Sequence, residues 1–163
     1  MRRMLYVTLA VIMLGSYSLS RPGYAQDPAK DNLRNEATAF LSKFMDAANR
    51  ADTKTMINMF SAKPEVSLIA DGYIYQGRDA IQSHTERLFG QRDRYMVQLE
   101  TMSIANVNGL VLATGPYTAR LRYGNHEIAF QGAVTFLMEK EGRRHWKITH
   151  LHRSTAVVQA QRY

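Results

Sequence analysis

The chain has 163 residues, of which 45% are hydrophobic and 21% charged, a composition that fits one globular domain and excludes an intrinsically disordered chain. Its net charge is +7, but the basic pairs are scattered, which favours a solvated surface over a nucleic-acid-binding patch. The absence of cysteine excludes disulfide bonds and cysteine lipidation, so the core alone must hold the fold.

Residues 1–25 have the order of regions that is typical of a secretory signal peptide. Arg2 and Arg3 precede an apolar run from Leu5 to Leu14, and small residues lead up to Ala25. Because this run is shorter than the roughly 20 apolar residues of a membrane span, we expect cleavage after Ala25 rather than a stable membrane anchor. Cleavage removes three arginines and no acid, which lowers the net charge from +7 to +4. We expect a periplasmic or secreted protein.

Three helices are predicted in the first half of the mature chain. Apolar residues recur with helical spacing from Ala37 to Ala48, which indicates one buried stripe on a first helix. Asp52 is suited to cap a second, short helix. A third helix begins after Gly77 and carries His84 on its apolar face.

Strand patterns separated by turn signals fill the second half. A hairpin is predicted around Asp71-Gly72. The later strand segments are Tyr95–Val107, Leu110–Tyr123, His126–Glu139 and His145–Ser154. The prediction is one α+β domain at residues 32–155, between a lead-in at 26–31 and a loose tail at 156–163. Its three N-terminal helices pack on a strongly curved antiparallel β-sheet, which forms a cone with an internal pocket.

The last predicted strand has two different faces, because alternate side chains of a strand point to opposite sides. One face carries Trp146, Ile148, His150, His152 and Ser154, and the other carries Lys147, Thr149, Leu151 and Arg153. The first set changes from apolar to polar along the strand. That gradient predicts the wall of a cavity that is polar at one end.

Short motifs along the chain occur in an order that is found in one superfamily. They are Phe44–Asp52, Met59-Phe60, Val66–Ile69, Gly77–Ile81 and Gly142–Ser154. Through them the chain resembles the SnoaL-like group of the nuclear-transport-factor-two-like superfamily over residues 33–155. The resemblance implies the cone fold and, commonly, a homodimer paired through the outer sheet face, which would include Thr149 and Leu151. The superfamily contains isomerases, dehydratases, polyketide cyclases and ligand-binding domains, so the fold leaves the function open.

The candidate ligand-binding residues are aromatic or imidazole side chains expected to face the cone. They are Tyr75, His84, Tyr117, Trp146, His150 and His152. By the resemblance, the strand face carrying His150 and His152 looks into the cone. Structural alternatives remain for all six. His84 can be a hydrogen-bonded core residue, Trp146 a core anchor, and the tyrosines packing residues with their hydroxyls at the rim. His150 and His152 can form hydrogen bonds to buried hydroxyls and so fix the shape of the pocket.

For catalysis, His152 and His150 are candidate general acids or bases, and Asp46 is the best-placed carboxylate. Glu100 and Glu127 remain open because their strand register is undetermined. A metal site would need a third ligand, and neither His84 nor His126 has a diagnostic spacing, so no metal or other cofactor is expected.

The leading hypothesis is an exported domain that binds a small apolar or amphipathic molecule. The alternative is a cofactor-independent isomerase, polyketide cyclase or dehydratase that uses a pocket histidine as general acid or base. A carboxylate reaching the same cavity would favour the enzyme.

Overall fold

The computed structural model describes residues 28–90, 94–142 and 145–162, so the predicted signal peptide lies outside the described residues. Its helices are α1 (Pro28–Asn49), α2 (Thr53–Met59) and α3 (Arg78–Gly90). Asp52 caps α2 as predicted, because its carboxylate accepts a hydrogen bond of 2.9 Å from the backbone N–H of Thr55. None of the described helices is long and apolar enough to cross a membrane.

Seven strands form one curved, unclosed sheet. They are β1 (Ser67–Ala70), β2 (Tyr73–Gln76), β3 (Arg94–Leu99), β4 (Ser103–Val107), β5 (Leu110–Tyr123), β6 (His126–Glu141) and β7 (His145–Arg162). Their order is β2-β1-β7-β6-β5-β3, and β4 also pairs with β5. Three helices on such a sheet confirm the predicted α+β class. The hairpin turn at Asp71-Gly72 is also confirmed, since both residues have the positive φ that a type I′ turn requires.

The sheet is not wholly antiparallel, as the sequence had suggested. β1 runs parallel to β7, with Ser67 opposite His150 and Leu68 opposite Leu151. The parallel contact begins just before β1, where the backbone N–H of Ser61 donates to the carbonyl oxygen of Ile148 at 2.9 Å. The chain therefore enters the sheet beside the middle of its last strand.

Three predicted boundaries were also wrong. Helix α1 begins at Pro28, within the expected lead-in. The expected loose tail belongs to β7, because pairing with β6 continues to the partners His126 and Arg162. The segment 95–107 is two strands, broken opposite Pro116, which has no N–H to donate to a neighbouring strand.

The core lies between α1, α2 and the concave face of the sheet. Phe44 of α1 contacts Phe60 and Phe136 edge-to-face, with ring centroids 5.9 and 5.8 Å apart, and all three rings are buried. These rings form part of the wall of the internal cavity described below.

Candidate functional site

A β-bulge in β7 decides which side chains face the cavity. Leu137 of β6 pairs with His150, and the next residue, Met138, pairs with Ile148, so Thr149 has no partner residue. The extra residue shifts the alternation by one position. Ile148 is completely buried on the concave face, and beyond the bulge Leu151 and Arg153, rather than His150 and His152, take that face.

The prediction that His150 and His152 line the cavity is therefore wrong. Both imidazoles lie on the opposite face of β7, and Nδ1 of His150 forms a hydrogen bond of 2.8 Å with Oγ of Ser67. Burial lowers the pKa of His150, and the neighbouring His152 lowers it further. The His152 side chain is exposed.

The cavity lies between the helices and the concave face of the sheet and has a volume of about 70 Å³. Most of its wall is aliphatic or aromatic, including Phe44, Phe60, Leu68, Phe136 and Leu151. Such a lining favours an apolar occupant, because burying apolar surface against it is favourable.

One end of the cavity is polar. Arg153, Tyr95 and Tyr117 line the cavity and also line a second, more open one of about 230 Å³. Nη2 of Arg153 lies 3.0 Å from Oδ2 of Asp71, and its Nη1 makes a long contact of 3.5 Å with the Tyr95 hydroxyl. The Tyr117 hydroxyl shares a hydrogen bond of 2.5 Å with Oγ1 of Thr155. We call Asp71, Tyr95, Tyr117, Arg153 and Thr155 the polar cluster.

The polar cluster holds charge in a partly desolvated place. Burial acts to lower the pKa of Arg153, but attraction to Tyr95, Asp71 and Tyr117 outweighs it and leaves that pKa above its ordinary value. Burial raises the pKa of Tyr117, against the opposing effects of Thr155 and Arg153. At neutral pH the cluster therefore holds a charged guanidinium, paired with Asp71 on one side, and a protonated Tyr117 phenol.

Two predicted ligand-binding residues do line the cavity. His84 of α3 is 7% exposed and stacks on Tyr75, with ring centroids 4.1 Å apart. Tyr117 of β5 is 2% exposed. Tyr75 packs behind His84 and is not one of the described lining residues.

The other two predicted site residues lie elsewhere. Trp146 donates from Nε1 to Glu36 of α1 at 3.2 Å, and Nζ of Lys140 lies 4.9 Å from its ring centroid. Asp46 is exposed on α1 and lines a separate groove, together with Glu100. Neither Trp146 nor Asp46 is among the described residues that line the cavity or its polar end.

The sequence reasoning missed Arg153 and Asp71. Strict alternation along the last strand places Arg153 on the wrong face, because it does not allow for the bulge, and the sequence shows Asp71 only as a turn residue. No local signal places Asp71 beside Arg153, since the two meet through the pairing of β1 with β7. Across residues 28–90, 94–142 and 145–162, no group of three or more His, Asp or Glu side chains could hold a metal ion.

Comparison with known proteins identifies the family. Residues 37–158 match the sequence profile of the SnoaL-like domain. The chain belongs to the SnoaL-like family. No curated protein is similar enough in sequence to count as a relative of this SnoaL-like domain.

Solved structures share its fold. A nuclear transport factor 2-like superfamily protein from Salmonella enterica has a TM-score of 0.70 and 18% identity, covering 77% of this chain and 92% of that one. A protein from Novosphingobium aromaticivorans, provisionally named a scytalone dehydratase, has a TM-score of 0.71 and 12% identity, covering 83% and 91%. A provisionally named dehydratase from Streptomyces avermitilis has a TM-score of 0.69 and 14% identity, covering 77% and 97%. At these identities the likeness of the SnoaL-like domain to them shows the fold alone.

Proposed function

We propose that this SnoaL-like domain is an exported protein that binds a small, largely apolar molecule in its cavity. The observation that carries the proposal is an apolar cavity with the polar cluster at one end and His84 in its wall. Mostly apolar pockets with a few convergent polar groups are typical of small-molecule sites.

The size of the cavity limits the occupant. A volume of about 70 Å³ is smaller than the roughly 150 Å³ apolar cavity that holds a benzene ring. A ring-sized ligand would need the adjoining cavity of about 230 Å³ or a movement of Met45 and Met56, whose flexible side chains line the wall. The proposed ligand is therefore small, and its polar end lies at the polar cluster.

The test is to identify what the purified protein retains, by native mass spectrometry followed by extraction. Leu88→Trp adds volume at a half-buried lining position of α3 and should abolish retention. Phe40→Trp is the matched control, because Phe40 is also half-buried but lies outside the cavity wall. If nothing is retained and small apolar probes leave the thermal unfolding midpoint unchanged, the proposal is wrong.

A second candidate is an isomerase or dehydratase, favoured by a buried imidazole and a buried phenol in one cavity. His84 would move a proton, while Tyr117 or Arg153 would stabilise a developing oxyanion. The retained compound, followed by NMR with fresh protein, would then be converted. His84→Gln should abolish that conversion while retention persists.

A further inference from the structure

A single cationic side chain lies in the wall of the apolar cavity. Arg153 is the only lysine or arginine among the described residues that line it, and its side chain is 19% exposed. A desolvated charge is costly unless it is paired and hydrogen-bonded. The cavity wall is therefore electrostatically suited to an anion.

The guanidinium group of Arg153 is only partly satisfied. Asp71 contacts Nη2 alone, and its own side chain is 48% exposed. The contact from Nη1 to Tyr95 is long, and Nε is buried without a hydrogen-bond partner in the described structure. Since a guanidinium carries five N–H donors, the edge bearing Nε still has donors to offer.

We propose that the ligand is a small carboxylic acid with an apolar body, whose carboxylate binds the guanidinium of Arg153 through two hydrogen bonds. This inference rests on the proposed small-molecule-binding function and names its ligand class. The planar fork of arginine matches the two oxygens of a carboxylate, and such charged pairs are stronger than neutral hydrogen bonds. The apolar body occupies the inner cavity, beyond Tyr117 and Leu151.

Asp71 should weaken the binding of the proposed ligand. Its carboxylate already neutralises Arg153 and competes with the ligand for the same donors. Replacing it with asparagine removes this one negative charge, which both competes for the donors of Arg153 and repels the ligand. Asp71→Asn should therefore bind carboxylates more tightly than the unchanged protein does.

The experiment is titration calorimetry of the purified protein at pH 7 with hexanoate and benzoate, and with hexanamide and benzamide as neutral matches. Each acid should bind at least tenfold more tightly than its amide, a difference of about 1.4 kcal/mol. Inorganic phosphate, which is charged but has no apolar body, should bind more weakly than either acid.

The variants test whether Arg153 recognises the ligand or only forms an ion pair with Asp71. Arg153→Met should remove the preference for acids, Arg153→Lys should weaken it, and Asp71→Asn should strengthen acid binding severalfold. Arg120→Met is the matched control, because Arg120 is an exposed arginine of β5 outside the cavity wall, and its loss should leave the preference for acids unchanged. Circular dichroism establishes that each variant is folded, and Arg153→Lys and Asp71→Asn carry the test if Arg153→Met does not fold.

The outcomes distinguish the two proposals. Equal binding of acids and amides leaves a small-molecule pocket but overturns the carboxylate assignment. Binding of neither class overturns both. Weaker acid binding in Asp71→Asn would show that Asp71 only positions Arg153, and would also overturn the assignment.

Discussion

At the scale of single residues, the most informative side chain is His150, whose environment differs from the one that its sequence pattern predicted. It lies on the side of β7 opposite the cavity, hydrogen-bonded to Ser67, and burial together with His152 lowers its pKa below the ordinary value of 6.5. The lowered pKa means that the environment of this half-buried imidazole disfavours its protonated form.

This shift gives the folded state a predictable pH dependence. Because the pKa of His150 is lower in the folded than in the unfolded chain, the unfolded chain binds more protons as the pH falls through 6.5. The free energy of unfolding should therefore be highest above that pH and decrease towards pH 5. In His150→Gln the decrease should be smaller, as measured by urea unfolding at several pH values. Identical pH profiles for the two proteins would contradict this account.

At the scale of elements, the bulge at Thr149 determines the chemistry of the cavity. It places Arg153 in the cavity wall and His150 outside it, because one extra residue exchanges the two faces of β7 from the bulge up to a second register shift at Val158. Oγ1 of Thr149 donates to the carbonyl oxygen of Leu137 at 3.1 Å. This hydrogen bond bridges the irregular position.

Deleting Thr149 should therefore be far more damaging than substituting it. The deletion would turn Leu151 and Arg153 outwards and bring two imidazoles into the core, which should prevent stable folding. Thr149→Val keeps the residue count and loses only the side-chain hydrogen bond, which should cost about 1 kcal/mol. Chemical denaturation measures both changes. A deletion variant as stable as Thr149→Val would show that β7 can change its register.

At the scale of the whole molecule, the convex face of the sheet is the expected dimer surface, although Leu151 no longer belongs to it. A groove on the sheet includes Met96 and Val158, which are 47% and 51% exposed. Large exposed apolar side chains on one surface are typical of a protein contact site. We therefore expect a homodimer, whose closed symmetry would bury this surface on both copies.

Light scattering should give twice the mass of one chain for the unchanged protein and the mass of one chain for Met96→Glu. Ile74→Glu is the matched control, because Ile74 is also apolar and 71% exposed but lies on β2, at the opposite end of the sheet from the strand that carries Met96. A single-chain mass for the unchanged protein at high micromolar concentration would refute the dimer.

The proposed export of the protein can be tested separately. If residues 1–25 act as a signal peptide, the native protein should begin at Gln26 and appear in the periplasmic or secreted fraction. Intact-mass measurement of the native protein decides this. Recovery of the full chain with Met1 in the membrane fraction would refute it.

The sequence by itself determined the α+β class, the three helices and the positions of the turns. These depend on local signals that lie close together in the chain, such as the capping residue Asp52 and the Asp71-Gly72 turn. It also identified two residues of the cavity wall, His84 and Tyr117. Both lie in elements where no bulge interrupts the regular spacing of inward-facing side chains.

Only the tertiary structure decided which side chains of β7 face the cavity. A bulge arises from pairing between β6 and β7, and no pattern within residues 145–154 reveals it. The parallel pairing of β1 with β7 is likewise a contact between segments about 80 residues apart. Arg153 and Asp71 meet only because that pairing brings the tip of the first hairpin beside the last strand. The polar cluster therefore depends on contacts between distant segments, which the alternation of side chains along a single strand does not predict.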